Sequence, residues 1–294
     1  MPAESIKLSI IILNHNSGSL LVECLDSLFS GTLSFPCEVL IPDNASADDS
    51  LQRAASKWGE RIHIIRNGEN RGFSWGNNIA IMQSKGEYVC LLNPDTIVSA
   101  SGFEVLVHFM DDHPAAGFCG PKVLNSDGTL QLSCHRMIPS PFDAIARALL
   151  LSKLFPKSHW LARYNVTYLD EDETQRVDAS TGCCIFARRK MLDEIGLLDE
   201  GYFLYCEDVD WFQRAKAASW EVWYVPTAVI KHHHAYSANF RKREAVRNFH
   251  ESMVRFYSKH YAAKYPSVFN TMIYAAVYAR MGIITGTRTL RGWR

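Results

Sequence analysis

The sequence predicts an α/β fold: a mostly parallel sheet flanked by helices, followed by a helical C-terminal extension. Three observations lead to it. Apolar runs of strand length alternate with segments of helical periodicity. Those runs are continuously apolar rather than alternating, as in strands buried on both faces. Polar clusters close each run, at the ends beyond which parallel sheets bind their ligands.

Residues 8–13 form the first strand, ending in Asn14-His15-Asn16, and residues 20–29 then repeat apolar side chains at helical spacing. A second strand at 38–42 closes in Asp43-Asn44, with 50–58 helical after it. The third, at 62–65, runs into the turn-like Asn67-Gly68-Glu69-Asn70-Arg71-Gly72 and a helix over 77–83. The fourth, at 88–92, is closed by Asn93-Pro94-Asp95. The second half is less regular. Strands are expected near 117–123 and 130–133, separated by the turn Asn125-Ser126-Asp127-Gly128. A mixed apolar and basic stretch fills 141–164, then a strand at 177–187 interrupted at Gly182, a helix at 207–218, and a late strand at 222–230 leading into His232-His233-His234. There is no internal repeat or low-complexity segment.

A chain of 294 residues with 47% hydrophobic and 21% charged side chains can bury a sizeable core and carries no compositional sign of disorder. One large domain with an extension is expected. Net charge is zero, but no acidic residue follows Glu251, whereas Arg255, Lys259, Lys264, Arg280, Arg288, Arg291 and Arg294 do. This asymmetry points to an anionic partner surface, lipid or nucleic acid, or to a solvated basic helix end. The eight cysteines lack the paired spacing of a zinc site and read as buried thiols. No signal-peptide pattern precedes the first strand, so a reducing, cytoplasmic compartment is expected.

Three clusters carry chemistry. Asp95, at the end of the fourth strand behind a stiffening proline, is placed to hold a divalent cation against a diphosphate, although Asn-Pro-Asp is also an ordinary turn. On the same rim Asp43 can accept the imide N–H of a uracil or thymine ring, or cap the following helix. Arg71 can pair with phosphate oxygens or simply be solvated. The second cluster puts Glu207, Asp208 and Asp210 within four positions, beside Phe203, Leu204 and Trp211. A carboxylate in such a pocket can take the proton from an attacking hydroxyl. The third is the histidine run, with Ser237 close behind; its imidazoles can ligate a metal or donate to phosphate.

In this order the motifs resemble the inverting, metal-dependent glycosyltransferases of the GT-A fold in family 2, and most of all their rhamnosyltransferase-like branch. The resemblance rests on residues 9–16, Asp43-Asn44-Ala45-Ser46, Asn70-Arg71-Gly72-Phe73 with Gly76-Asn77-Asn78, and Leu91-Leu92-Asn93-Pro94-Asp95. Further along it rests on Thr181-Gly182, Phe203-Leu204-Tyr205 with Glu207-Asp208, and His232 five residues before Ser237. It covers roughly residues 6–260. The resemblance implies a catalytic unit over 1–240, its nucleotide-sugar half about 1–120 and its acceptor half about 121–240, with a basic helical extension over 241–294. Asp43 would read the pyrimidine; Asn14, His15, Asn70, Arg71, Gly72 and Asn93 would line the nucleotide-sugar pocket. Asp95 would bind Mg²⁺ or Mn²⁺, with His232 at the metal or diphosphate. Asp208 would be the general base, with Glu207 supporting it or the acceptor. Where the family's metal motif often begins with a carboxylate, this chain has Asn93. The implied donor is dTDP-L-rhamnose, with another UDP- or dTDP-sugar as the alternative.

Two segments bear on the acceptor. Residues 142–161 mix Leu149-Leu150-Leu151, Leu154, Phe155 and Trp160 with Arg147, Lys153 and Lys157; residues 268–284 are apolar and aromatic but include Asn270 and Arg280. Neither is a clean run of about 20 apolar residues able to span a bilayer. Both suit a helix lying in a membrane interface, or core packing. The expected partners are a nucleotide-sugar donor, a saccharide on a polyprenyl diphosphate and an anionic membrane surface, with the protein peripheral on its inner face. Nucleic acid is not expected. A sugar nucleotidyltransferase would need a glycine-rich phosphate loop after strand one, where Asn14-His15-Asn16 stands. A non-catalytic sugar-nucleotide-binding or scaffold protein has no need of the Glu207-Asp208 pair.

Overall fold

The computed structural model describes residues 5–148, 150–233 and 243–290. His234, Ser237, Leu149, Arg291 and Arg294, named above, lie outside them. The first half alternates as the sequence predicts: β1 (Leu8–Ile12), α1 (Leu20–Phe29), β2 (Cys37–Asp43), α2 (Ser50–Trp58), β3 (His63–Arg66), α3 (Phe73–Gln83) and β4 (Tyr88–Leu92). After them come β5 (Thr96–Ile97), α4 (Ala100–Asp112), β6 (Ala116–Leu124), α5 (Pro141–Ala148), the single turn α6 (Leu151–Leu154), β7 (Gln175–Val177), β8 (Cys184–Arg188) and α7 (Arg189–Ile195). The chain ends with α8 (Glu207–Ala217), β9 (Glu221–His232), α9 (Arg243–His260) and α10 (Ser267–Leu290).

One sheet runs in the order β3-β2-β1-β4-β8-β6-β9-β5, with β7 on β9. Strands β3, β2, β1 and β4 are parallel; β8 is antiparallel to β4 and β6, and β9 is parallel to β6. Two reversals restore the original direction, so His232 at the end of β9 shares the rim formed by the ends of β1, β2 and β4. Every residue of β1 and β4 is buried, which explains why their sequences are apolar without alternation.

Four expectations need correction. The strand near 130–133 is only a bridge from Leu130 to Leu124 followed by a 3₁₀ turn at Leu132–Cys134. The run at 177–187 is two strands with different neighbours, because Gly182 and its flanks leave the ladder between them. Residues 142–161 break into α5, α6 and irregular chain rather than one interfacial helix. Of the eight cysteines, all free, Cys37 is exposed and Cys206 partly so; the other six are buried.

The basic tail is also less free than its composition suggests. Arg255 and Lys259 reach back to Asp199 at 2.8 and 2.7 Å, and Lys259 also to Asp210 at 2.8 Å. Arg280 sits 2.8 Å from His250 Nε2. Among the described residues no helix is long and apolar enough to cross a membrane.

Candidate active site

At the end of β1 the chain bridges to the end of β2, Asn14 opposite Asp43. Both side chains are buried. Asn14 Nδ2 donates to Asp43 Oδ1 at 2.7 Å and lies 3.0 Å from the Ser46 and Ser50 hydroxyls. Asp43 also accepts the Ser46 hydroxyl at 2.6 Å and the Ser46 N–H at 3.2 Å. Asp43 therefore closes its own turn; it does not cap α2, whose N-cap is Asp49. His15 is partly exposed, and its Nδ1 faces the Asn44 carbonyl at 2.8 Å, so that nitrogen carries the proton.

Asn44 ties this corner to the 67–72 turn, donating to Asn70 Oδ1 at 3.2 Å and to the Gly72 carbonyl at 3.0 Å. Gly72 has φ +100°, and a Cβ there would come 2.3 Å from the Phe203 carbonyl oxygen, so only glycine fits. The Phe73 N–H bonds that same carbonyl at 2.8 Å. The turn is thereby joined to the loop that leads into the acid pair. Arg71 does not join the cluster: it is exposed, stacks 5.2 Å from the Trp75 ring centroid and lies 3.9 Å from Glu69.

Asp95 and His232 meet across the rim, Oδ1 to Nε2 at 3.1 Å, both buried. Strand β5 brings this about by pairing Thr96 with His232, and the His233 N–H bonds the Asp95 carbonyl at 2.9 Å. His232 Nδ1 faces the Gln131 side chain. Burial disfavours the imidazolium, but the Cys183 sulfur and the Asp95 carboxylate outweigh it and raise the His232 pKa, so a cation bound there would have to displace that proton. A carboxylate and an imidazole suit Mg²⁺ or Mn²⁺. Among the described residues no group of three or more His, Cys, Asp or Glu is arranged to hold a metal ion, so the pair fits a cation only if a diphosphate and water complete its shell. Asn93, partly buried, takes its place through its N–H on the Cys183 carbonyl at 2.9 Å.

Cys183 leads to the acid pair. The residue before it, Gly182, would carry a Cβ 3.4 Å from Asp208 Oδ2, so α8 starts directly over the rim. Glu207 and Asp208 are both buried. Burial and the neighbouring Asp208 charge push the Glu207 pKa up to about 8, against the pull of its backbone N–H and of Arg136. Among the described residues Glu207 Oε2 is buried without a hydrogen-bond partner, a state that costs about 1–3 kcal/mol and calls for a role. Asp210, the third carboxylate of the motif, points elsewhere, to Arg214, Lys259 and His260.

The sequence reading missed Arg136, which bonds Asp208 Oδ2 at 2.6 Å, as well as Tyr164, Gln131 and Cys183. They stand in irregular chain or inside apolar runs, without a motif to mark them. A groove of about 570 Å³ between α1 and α2, lined by Ser19, Val22, Asp49, Arg53 and Lys57 among others, includes none of the motif residues.

Solved structures share this architecture. The mannosyltransferase PcManGT from Pyrobaculum calidifontis, in complex with GDP-Man and Mn²⁺, superposes with a TM-score of 0.56 at 16% identity, covering 99% of this chain and 77% of that one. GalNAc-T7 with UDP, GalNAc and Mn²⁺ gives 0.58 at 17% identity, over 78% of this chain and 44% of that one. At such identity the likeness is one of fold, and the fold is GT-A. The model of Glycosyl transferase family 2 matches residues 9–196, and the chain belongs to that family of glycosyltransferases. It is 30% identical over 241 residues to the N-acetylglucosaminyl-diphospho-decaprenol L-rhamnosyltransferase of Mycobacterium tuberculosis, covering 78% of this chain and 77% of that protein. Identity to the O-antigen chain rhamnosyltransferase RfbN of Salmonella typhimurium is 22%, over 79% and 68%.

Proposed function

We propose that this glycosyltransferase moves L-rhamnose from dTDP-L-rhamnose onto a hydroxyl of a saccharide carried on a polyprenyl diphosphate, with inversion, in cell-surface polysaccharide synthesis. The observation that carries the reading is the Gly182-Cys183 segment, whose Cys183 sulfur meets His232 and whose Gly182 leaves its side-chain position open towards Asp208. Donor diphosphate and acceptor hydroxyl have to meet between two such groups. The choice of rhamnose and of a polyprenyl carrier is supported by the mycobacterial relative.

Asp208 takes the acceptor's proton as that oxygen attacks the anomeric carbon from the face opposite the leaving nucleoside diphosphate. A single displacement inverts the configuration. Asp43 reads the pyrimidine imide, and Asn14, His15, Asn70, Gly72 and Asn93 line the nucleotide sugar. Arg71 is left out, since it is exposed and its contacts are with Trp75 and Glu69. Asp95 and His232 would hold Mg²⁺ or Mn²⁺, which when bound offsets the charge growing on the diphosphate. Residues 1–240 form the catalytic unit in this reading, with 241–294 as its extension. The protein works at the inner face of the cell membrane, to which exposed Phe142, Leu150, Leu154, Phe155 and Trp160 beside Lys153 and Lys157 are suited.

Isothermal titration with dTDP-rhamnose, UDP-glucose, UDP-N-acetylglucosamine and GDP-mannose, each with and without Mn²⁺, tests this. Tight binding of dTDP-rhamnose only with the metal, lost in Asp95→Ala, is expected. Preference for another donor would replace the sugar, and no binding of any donor would favour a scaffold.

A further inference from the structure

The acid pair at the start of α8 is held from outside its own helix. Arg136 follows the 3₁₀ turn at Leu132–Cys134 and is fixed by a backbone bridge to Ala179. Its Nε and Nη2 donate to the Ser180 carbonyl at 3.1 and 3.0 Å, its Nη1 to the Tyr164 hydroxyl at 3.0 Å, and its Nη2 to Asp208 Oδ2 at 2.6 Å. A planar fork is needed to make this set of bonds; an ammonium cannot reproduce it. Asp208 Oδ1 accepts the Val209 N–H at 2.8 Å, so both oxygens of that carboxylate are fixed. Glu207, equally buried, has an oxygen with no partner among the described residues. Two adjacent carboxyls in a dry site do not both ionise readily, and the one beside the guanidinium keeps the charge.

We propose that Arg136 is a positioning residue for the transfer reaction: its guanidinium orients the Asp208 carboxylate and keeps the negative charge of the acid pair on it, leaving the pair's proton on Glu207. This rests on the assignment of Asp208 as the base. Among the described residues, the other groups around the pair do not compete for the role. Cys206 is a thiol whose ionisation is pushed up by burial, Tyr205 is likewise held neutral by burial, and Tyr164 is already bonded to Arg136. Asp210 is matched by Arg214, Lys259 and His260. Tyr164 follows α5 and α6, so the clamp also ties that segment to the base.

The test titrates side-chain carboxyls by ¹³C NMR in the full-length wild type and in Arg136→Gln, Arg136→Lys and Tyr164→Phe, with steady-state kinetics over pH alongside. In the wild type one glutamate is expected to titrate near its pushed-up value of about 8. In Arg136→Gln that midpoint rises by at least about one unit, because a cation favouring ionisation is gone. Turnover falls about tenfold or more at nearly unchanged donor KM, and the acid limb of the kcat profile moves to higher pH. Arg136→Lys restores the midpoint more fully than the turnover. An unmoved glutamate midpoint, or lost turnover with an unmoved pH profile, overturns the proposal. Should Arg136→Gln fail to fold, Tyr164→Phe carries the test: lower kcat with an unchanged melting temperature supports the clamp, and unchanged kcat overturns it. The titration needs no donor, so a wild type inactive with every sugar sinks the rhamnosyl reading without touching the clamp.

Discussion

Glu207 sits where its own charge is disfavoured, and that has a consequence for stability. Its pKa is pushed up from the ordinary glutamate value to about 8, so the folded protein holds this proton more tightly than the unfolded chain does. The contribution is fully present below the unfolded value and is lost as pH rises through about 8. Glu207→Gln keeps the shape and removes the ionisation. At pH 8 the variant is expected to melt above the wild type, by the equivalent of a few kcal/mol at most, with the gap closing towards pH 5. Thermal melts at the two pH values check it; a gap that does not change with pH would deny that burial of this charge is what strains the site. Gly72 shows the same economy at the backbone. Its positive φ and the Phe203 carbonyl beside it leave no room for a side chain, and in return the turn is locked to the loop that presents the acid pair.

At the scale of elements, α8 is anchored by Asp210, whose side chain is fully buried between α8 and α9. It accepts Arg214 Nε at 2.9 Å, Lys259 Nζ at 2.8 Å and His260 Nε2 at 2.7 Å. Burial works against its ionisation, but His260, Lys259 and Arg214 together hold its pKa below the ordinary value; Asp199, with Lys259 and Arg255, is lowered in the same way. Both contribute stability above the unfolded carboxylate pKa of about 3.9, and it is lost as pH falls through their folded values. Asp210→Asn takes the counter-charge from Arg214 and Lys259, which solvent still reaches in part, and is expected to cost about 1.5–3 kcal/mol in urea unfolding. Amide exchange in α9 should quicken in the variant. A loss below about 1 kcal/mol would mean that α9 is held by its apolar face alone.

Across the whole molecule, the rim that carries the proposed chemistry and the α5–α6 segment with its exposed apolar side chains are joined through Tyr164 and Arg136. Leu154 is 68% and Trp160 79% exposed, values at which large apolar side chains are left for another surface to cover. Co-sedimentation with phosphatidylglycerol vesicles is expected for the wild type and lost in Leu154→Asp/Trp160→Asp, with less binding at high salt. A wild type that stays in the supernatant would place the acceptor saccharide in solution rather than on a bilayer.

The sequence by itself determined the alternating first half, because strands buried on both faces and helices buried on one leave periodicities that composition cannot hide. It also marked Asp43, Asp95, the acid pair and His232, since each sits at a strand or helix end beside turn-forming residues. The tertiary structure alone decided the rest. That His232 meets Asp95 depends on two strand reversals through β8, and long-range register is not encoded in any local pattern. That Arg71 lies on Trp75 and Glu69 while Arg136 reaches Asp208 depends on backbone direction in irregular chain. That Asp210 serves α9 and not the acid pair follows from its place on α8: two residues beyond Asp208, it points to another face of the helix.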